Sequence, residues 1–231
     1  LSMDESRTRN AYIYHFEGQA FGMIAGYRAK KDANGNTVYN KDTGLPVQGE
    51  FTSLGRGVPP VTMGLTNTFS YKNFNFSFLI DAKFGASLYS ATNAFATRYG
   101  LTQRTVANNV RETGVTVTGV DQNGAPFTKT ISAQDYFTGI STTITDEFVY
   151  NANFAKLRQL TFGYTVPKSF LAKTPIQSLS INFVARNLLM IFNNVPNIDP
   201  ESTYNNGNAQ GLEMFGVPTT RSFGLNLSAK F

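Results

Sequence analysis

The chain contains no cysteine and no tryptophan, and His15 is its only histidine. Without cysteine there is no disulfide framework and no thiol chemistry. With a single histidine, neither a His-based metal cluster nor a Ser- or Cys-nucleophile site of the usual kind has its parts. Charge is scarce: 15% of the 231 residues carry it, and the net +5 comes from lysines and arginines scattered singly. A nucleic-acid footprint gathers such residues on one face beside stacking aromatics, so that class is set aside. No apolar run approaches the roughly 20 residues that a spanning helix requires. The longest, Leu188-Leu189-Met190-Ile191-Phe192, has five. The chain opens Leu1-Ser2-Met3-Asp4-Glu5, with neither a basic start nor an apolar stretch behind it. We expect it to be the back part of a longer protein.

What the chain has in quantity is aromatic residues, 20 Phe and 11 Tyr, set two apart. Phe223, Leu225, Leu227, Ala229 and Phe231 alternate with Gly224, Asn226, Ser228 and Lys230. A strand sends successive side chains to opposite faces, so one face here is apolar and the other polar. The same alternation predicts a hairpin over 61–84. Val61, Met63, Leu65, Phe69 and Tyr71 share a face, and after Lys72-Asn73 so do Phe74, Phe76, Phe78, Ile80, Ala82 and Phe84. Asp81 and Lys83 fall on the other face. Further strands are predicted at Leu160–Val166 and Ser178–Arg186. Arg158 has the parity of the apolar set, which aims a charge outward unless a bulge shifts the register. Strands of about 10 residues, apolar on one side and polar on the other, suit an outer-membrane barrel with a polar lumen. A soluble barrel or sandwich gives the same parity, and extraction without detergent tells it apart.

The links are of two lengths. The turn at 71–73 and the link 167–176 are short, and the stretches 30–60, 102–145 and 192–218 are long and polar. Outer-membrane barrels pair tight periplasmic turns with extended outer loops, so the short links are expected in the periplasm and the long ones outside. Ser87–Tyr99 fits a short helix or a strand equally well. Asp32, Asn34 and Asn36 mimic the start of a calcium loop, but Gly35 and Thr43 stand at the wrong positions, and a hairpin turn on Asn34-Gly35 is expected instead. Asp199 and Glu201 are paired carboxylates around Pro200, which marks an ordered turn. With Tyr204, Asn205 and Asn206 they are candidate substrate-contacting loop residues. No catalytic residue, metal ligand or cofactor site is identified, and we do not expect an enzyme.

Several segments resemble the late barrel of the SusC/RagA family of TonB-dependent transporters. They are Gly64-Leu65-Thr66-Asn67-Thr68-Phe69-Ser70-Tyr71-Lys72-Asn73-Phe74, Asn153-Phe154-Ala155-Lys156-Leu157-Arg158 and Leu160-Thr161-Phe162-Gly163-Tyr164-Thr165-Val166-Pro167. Ala185-Arg186-Asn187-Leu188, Asn197-Ile198-Asp199-Pro200-Glu201-Ser202 and Pro218-Thr219-Thr220-Arg221-Ser222-Phe223 follow in the family's order. The resemblance implies an all-β fold: a 22-stranded antiparallel transmembrane barrel of the Bacteroidetes outer membrane, of which residues 1–231 are the C-terminal part with its long extracellular loops. The plug and the N-terminal extension have no counterpart in the chain. It implies a multi-pass outer-membrane importer of oligosaccharides or peptides, working with a SusD-like lipoprotein lid and with TonB through the missing N-terminal part. The remaining barrel and plug, from the same or another chain, outer-membrane lipid and a glycan or peptide substrate complete the expected partners; nucleic acid is not among them, and no cofactor is implied. Asp81, Lys83, Asn182, Arg186 and Asn226 would line the lumen. Phe223, Leu225, Leu227 and Phe231 would form the signal read by barrel-insertion machinery. The alternative is a SusC-like barrel serving as a structural subunit of a larger envelope complex, without transport.

Overall fold

The computed structural model describes residues 2–5, 10–202 and 207–231. In chain order the strands begin with β1 (Ser2–Glu5), β2 (Tyr12–Tyr14), β3 (Met23–Ala29), β4 (Val38–Tyr39), β5 (Gln48–Arg56), β6 (Val61–Tyr71), β7 (Phe74–Phe84) and β8 (Ser87–Ser90). Helix α1 (Ala91–Arg98) and the one-turn α2 (Val110–Thr113) follow, then β9 (Val115–Asp121), β10 (Pro126–Ile131) and α3 (Ala133–Thr143). The chain continues through β11 (Val149–Asn151), β12 (Phe154–Thr165), the short α4 (Lys168–Leu171), β13 (Ser178–Asn193), β14 (Leu212–Glu213) and β15 (Ser222–Lys230).

Five strands form one antiparallel wall in the order β15-β13-β12-β7-β6. The hairpin of β6 and β7 closes over two residues, with Tyr71 opposite Phe74. Lys72 supplies the left-handed residue (φ 53°) that so tight a turn demands. Register then sorts the side chains into rows. Phe69, Phe76, Phe162, Phe183 and Leu225 make one row across all five strands. The next row, on the other face, is Ser70, Asn75, Gly163, Asn182 and Asn226. Eleven residues of β6, at about 3.3 Å each and tilted about 45°, rise about 25 Å, the height of an outer-membrane apolar band. Nothing among the described residues covers the apolar rows: Phe69 is 55% exposed and Leu225 73%.

The wall strands run further than alternation alone suggests. β12 begins at Phe154, six residues before Leu160, because Arg158 is a bulge. On both sides the register passes directly from Leu157 to Gln159. An inserted residue flips the parity of everything before it. Lys156 therefore lies opposite Asp81 on the polar face, as Thr161 lies opposite Ser77, and Arg158 does not join the apolar row of Leu160 and Phe162. β13 likewise continues beyond Arg186 to Asn193 and takes in the apolar run Leu188–Phe192, since irregularities opposite Arg158 and Ala155 re-aim it.

At one end of the wall lie the Lys72-Asn73 turn and the link carrying α4. From the other end leave two excursions, 85–153 and 194–221. These fold with 10–57 into a body that has its own core: Ala11, Ile13 and Ile24 pack with Tyr89, Ala91, Ala94, Phe148, Ala209 and Leu212. Within it the segment 87–99 is both things its sequence allowed, strand then helix, changing over at Ser90, whose hydroxyl accepts from the Asn93 N–H and caps α1. β9 and β10 pair as a hairpin around Asn123-Gly124. Helix α3, absent from the sequence reading, buries Ala133, Phe137 and Ile140 at helical spacing. The Asn34-Gly35 turn forms with Gly35 at φ 84°, and the Asp32 carboxylate is occupied by the N–H groups of Asn34 and Asn36 and the Asn36 amide.

The join between β3 and the turn at Thr145 is one of the close approaches in this body. Thr145 Oγ1 accepts from the Tyr27 N–H at 2.9 Å and donates to the Asn10 carbonyl at 2.5 Å, while the Thr145 N–H donates to the Tyr27 carbonyl. A β-carbon on Gly26 would sit 2.3 Å from Thr145 Oγ1. Gly26→Ala is therefore expected to destabilise this join by roughly 1–3 kcal/mol. Hydrogen exchange is the measurement: amides of Tyr27 and Thr145 exchange faster in the variant, and those of Phe76 and Phe162 in the wall do not.

Candidate functional site on the polar face of the wall

Where the polar face meets the body above it, three cations and three carboxylates form one network. Lys156 Nζ donates to both oxygens of Asp199 at 2.8 and 2.9 Å and to Glu201 Oε2 at 2.7 Å. Arg158 makes a two-point contact with Glu201, Nη1 to Oε2 and Nη2 to Oε1, each at 2.9 Å, and Nη2 also donates to Asp81. Lys83 completes it at 3.7 Å from Glu201. The Lys156 ammonium is buried, 4% exposed, and lies 5.5 Å from the centroid of the buried Phe154 ring. Three charges of each sign make the cluster neutral, the condition for holding ions away from water.

The network does a mechanical job. Asp199 and Thr219 stand near the two ends of the excursion 194–221. The Thr219 hydroxyl donates to Asp199 Oδ2 at 2.6 Å and its N–H donates at 3.1 Å, while Lys156 Nζ reaches Thr219 Oγ1 at 3.1 Å. Asn187, in the left-handed region at φ 49°, accepts from Arg158 Nη1 and donates to the Thr220 carbonyl. One lysine of the wall thus fastens the excursion at both feet, and the bulged arginine ties it to the neighbouring strands. Burial raises the Asp199 and Glu201 carboxyls, but hydrogen bonds from Lys156 and Thr219 to Asp199, and from Arg158 and Lys156 to Glu201, outweigh it. Asp199 is held at about 2, and Glu201 is also below its ordinary value.

Of the loop residues singled out from sequence, Asp199 and Glu201 therefore face inward onto the wall as ion-pair partners. Tyr204, Asn205 and Asn206 lie outside the described residues. Asp81, Lys83, Asn182, Arg186 and Asn226 share the polar face by register. Asp81 and Lys83 belong to the network, and the other three lie further down the face. Phe223, Leu225, Leu227 and Phe231 are exposed, the first three in the outer row of β15. Sequence reasoning missed Lys156, Asn187 and Thr219. The available signal was a lysine three residues into a strand whose parity breaks at Arg158.

Below this face Gly163 is flanked by Asn75 and Asn182, whose side-chain oxygens lie 2.3 and 2.2 Å from where a β-carbon would stand. The two amides fill the space that the glycine leaves. Among the described residues no group of three or more acidic or histidine side chains is placed to hold a metal ion.

Removing Lys156 strands Asp199 and Glu201 without their cation. Lys156→Met is expected to cost roughly 3–5 kcal/mol of attachment, whereas Lys83→Ala, at a longer and more exposed pair, costs about 1 kcal/mol or less. Protease cleavage within 194–221 of the intact protein reads both. Asp199 is depressed when folded, so its contribution is complete above about pH 4 and is lost as pH falls toward about 2. The same cleavage is expected to appear across that interval in the wild type.

No protein-family model matches the chain. Among curated proteins it is 29% identical over 240 residues to TonB-dependent receptor P3 of Formosa agariphila, covering 93% of this chain and 22% of the relative. It is 27% identical over 241 residues to TonB-dependent receptor P39 of the same organism, covering all of this chain and again 22% of the relative. The chain thus spans about a fifth of the length of these receptors. Solved structures of the RagAB peptide importer share the fold: the closed-closed state matches with a TM-score of 0.58 at 18% identity over 91% of this chain and 21% of that one. The open-open state matches equally well, TM-score 0.58, at 16% identity over 96% of this chain and 24% of that one. The chain is thus similar in sequence to a part of these TonB-dependent receptors, and its wall of β6, β7, β12, β13 and β15 shares the fold of the RagAB structures.

Proposed function

We propose that the complete protein is a TonB-dependent importer of the outer membrane and that residues 1–231 supply the C-terminal wall strands and outer loops of its barrel. One observation carries this reading: across five strands every apolar row faces one side, uncovered by any of the described residues, while the opposite side holds the ionic network that fixes a long excursion to the wall. A soluble sheet buries its apolar face against something; a barrel wall gives it to lipid. The sheet has open edges at β6 and β15, so other strands must close it, because unpaired ladder groups are not tolerated in hydrocarbon.

In this reading the ends at Lys72-Asn73 and α4 face the periplasm and the excursions 85–153 and 194–221 face outside, under a SusD-like lipoprotein. Asp81, Lys83, Asn182, Arg186 and Asn226 line the lumen side. The mechanism asks little chemistry of this stretch. It keeps the outer body seated on the wall, through Lys156 and Arg158, while a plug elsewhere in the protein opens. The substrate is a short oligomer, glycan or peptide; the curated relatives are named only as receptors, and the structural neighbours are named for peptide import.

The test is deletion of the gene for the complete protein in its native host. Uptake of a labelled oligosaccharide set or peptide set is expected to fall to background for one of them, and to fall equally when TonB is depleted. The polypeptide itself is expected in the outer-membrane fraction and to need detergent for release. Undiminished uptake of both sets by the deletion strain, with envelope integrity altered instead, would favour a structural subunit and overturn the importer.

A further inference from the structure

The outer body contains a cleft of about 710 Å³ between the C-terminal end of α1 and the start of α3. Its charged lining residues are Arg98 and Arg111; no carboxylate lines it. Arg111 is held by its own loop, with Nε donating to the Thr105 carbonyl and Nη2 to the Gly100 carbonyl at 2.5 Å, and this leaves Nη1 without a partner among the described residues. Arg98 is exposed and has no hydrogen-bond or ion-pair partner among the described residues. The nearest acids in sequence, Glu112 and Asp135, do not line the cleft, and Glu147 is paired with Arg104. The charges that line the cleft itself are therefore both positive.

Tyr99, which also lines the cleft, belongs to a built aromatic row. It stacks on Phe95 with ring centroids 6.2 Å apart and planes 14° apart, and Phe215 flanks Phe95 on its other side at 5.5 Å. Tyr99 and Phe215 are 67% and 60% exposed. Phe215 is held at φ 51°, a region that a bulky residue enters only under constraint. The constraint is visible. Glu213, buried to 1% exposure, accepts from the Ser90 and Thr92 hydroxyls at 2.7 and 2.5 Å and from the Gly216 N–H, while Thr92 Oγ1 accepts the Phe215 N–H. A buried carboxylate thus fixes a strained turn whose outcome is an aromatic ring presented to solvent.

We propose that this cleft is a recognition subsite for a carboxylate-bearing short oligomer, its anionic group pairing with Arg98 and Arg111 and a flat ring or peptide plane lying on Tyr99. The proposal rests on the importer reading and narrows its substrate class to acidic oligomers. The carboxylate comes either from a uronic acid or from an acidic peptide, and the probes separate the two. Guanidinium forks match carboxylates in geometry as well as charge, and an aromatic face adds a sequence-tolerant contact.

The experiment is binding to the intact, detergent-solubilised protein of four probes: trigalacturonate, tri-glutamate peptide, and the neutral galactose trimer and tri-glutamine peptide. One acidic probe is expected to bind at least roughly tenfold tighter than its neutral counterpart, and which one identifies the source. Arg98→Glu is expected to abolish that preference and Tyr99→Ala to weaken binding of the same probe, in proteins that still migrate as folded barrels. Arg98 is exposed and makes no hydrogen bond or ion pair among the described residues, so the reversal removes no bond of the fold. Equal binding of acidic and neutral probes, absence of binding by all four, or an unchanged preference in Arg98→Glu would each overturn the subsite. TonB-dependent uptake measured in the same strains separates the two failures: if it persists while the acidic preference is absent, the importer stands and only the subsite falls.

Discussion

The cluster built on Lys156 and Arg158 is where the two halves of this molecule become one. In the importer reading the wall meets lipid on one side and the outer body meets water, so the two need a device that fixes their relation. A neutral set of six buried or half-buried charges supplies that relation with directional bonds. Its dependence on a single inserted residue is notable for its logic. Without the bulge at Arg158, Lys156 would share a face with Leu160 and Phe162 and point into the membrane, where an ammonium is expensive. The extra residue turns the upper strand by one step and converts a lipid-facing position into a buried anchor. Arg158 itself, freed from the ladder, reaches sideways to Asp81 on one neighbouring strand and Asn187 on the other.

A second inversion concerns where the core lies. In a water-soluble domain the sheets enclose the apolar residues. Here the fully buried large apolar side chains, Tyr89, Phe148, Leu88, Ile13, Ile24 and Leu212 among them, belong to the outer body, with Phe154 at the upper end of β12 the exception, and the wall strands leave their other large apolar side chains exposed or half-buried. The hydrophobic effect organises only the part that meets water on all sides. In the wall, order comes from the backbone ladder and from register, which places aromatic opposite aromatic from Phe69 through Phe76, Phe162 and Phe183.

Much of this was legible. Period-two alternation located each of the five wall strands, since an amphipathic strand in a membrane carries its pattern undiluted by packing. It failed where the ladder is irregular: six residues of β12 and seven of β13 were lost because a bulge breaks the parity on which the reading depends. Helix α3 was missed although Ala133, Phe137 and Ile140 repeat at helical spacing, because three threonines, a serine and a glycine between 138 and 143 depress its helical propensity; Gly139 is there to let Leu45 approach. The site was legible only as resemblance. Asn153–Arg158, Ala185–Leu188, Asn197–Ser202 and Pro218–Arg221 stood out as motifs in family order, and nothing in one dimension says that they converge on a single ion cluster. Asp199 and Glu201 looked like free loop carboxylates because their partners lie more than 40 positions away.

The outer core has one further property. It draws Ala11, Ile13 and Ile24 from before the first wall strand, Tyr89 to Phe148 from between β7 and β12, and Ala209 and Leu212 from between β13 and β15. Wall and core are therefore braided along the chain, so the core has no complete set of residues until β13 has been laid down beside β12. Contacts of such long sequence separation close late. The outer body is then the last part to take shape, and its packing reports that the strands beneath it have been inserted in the right order.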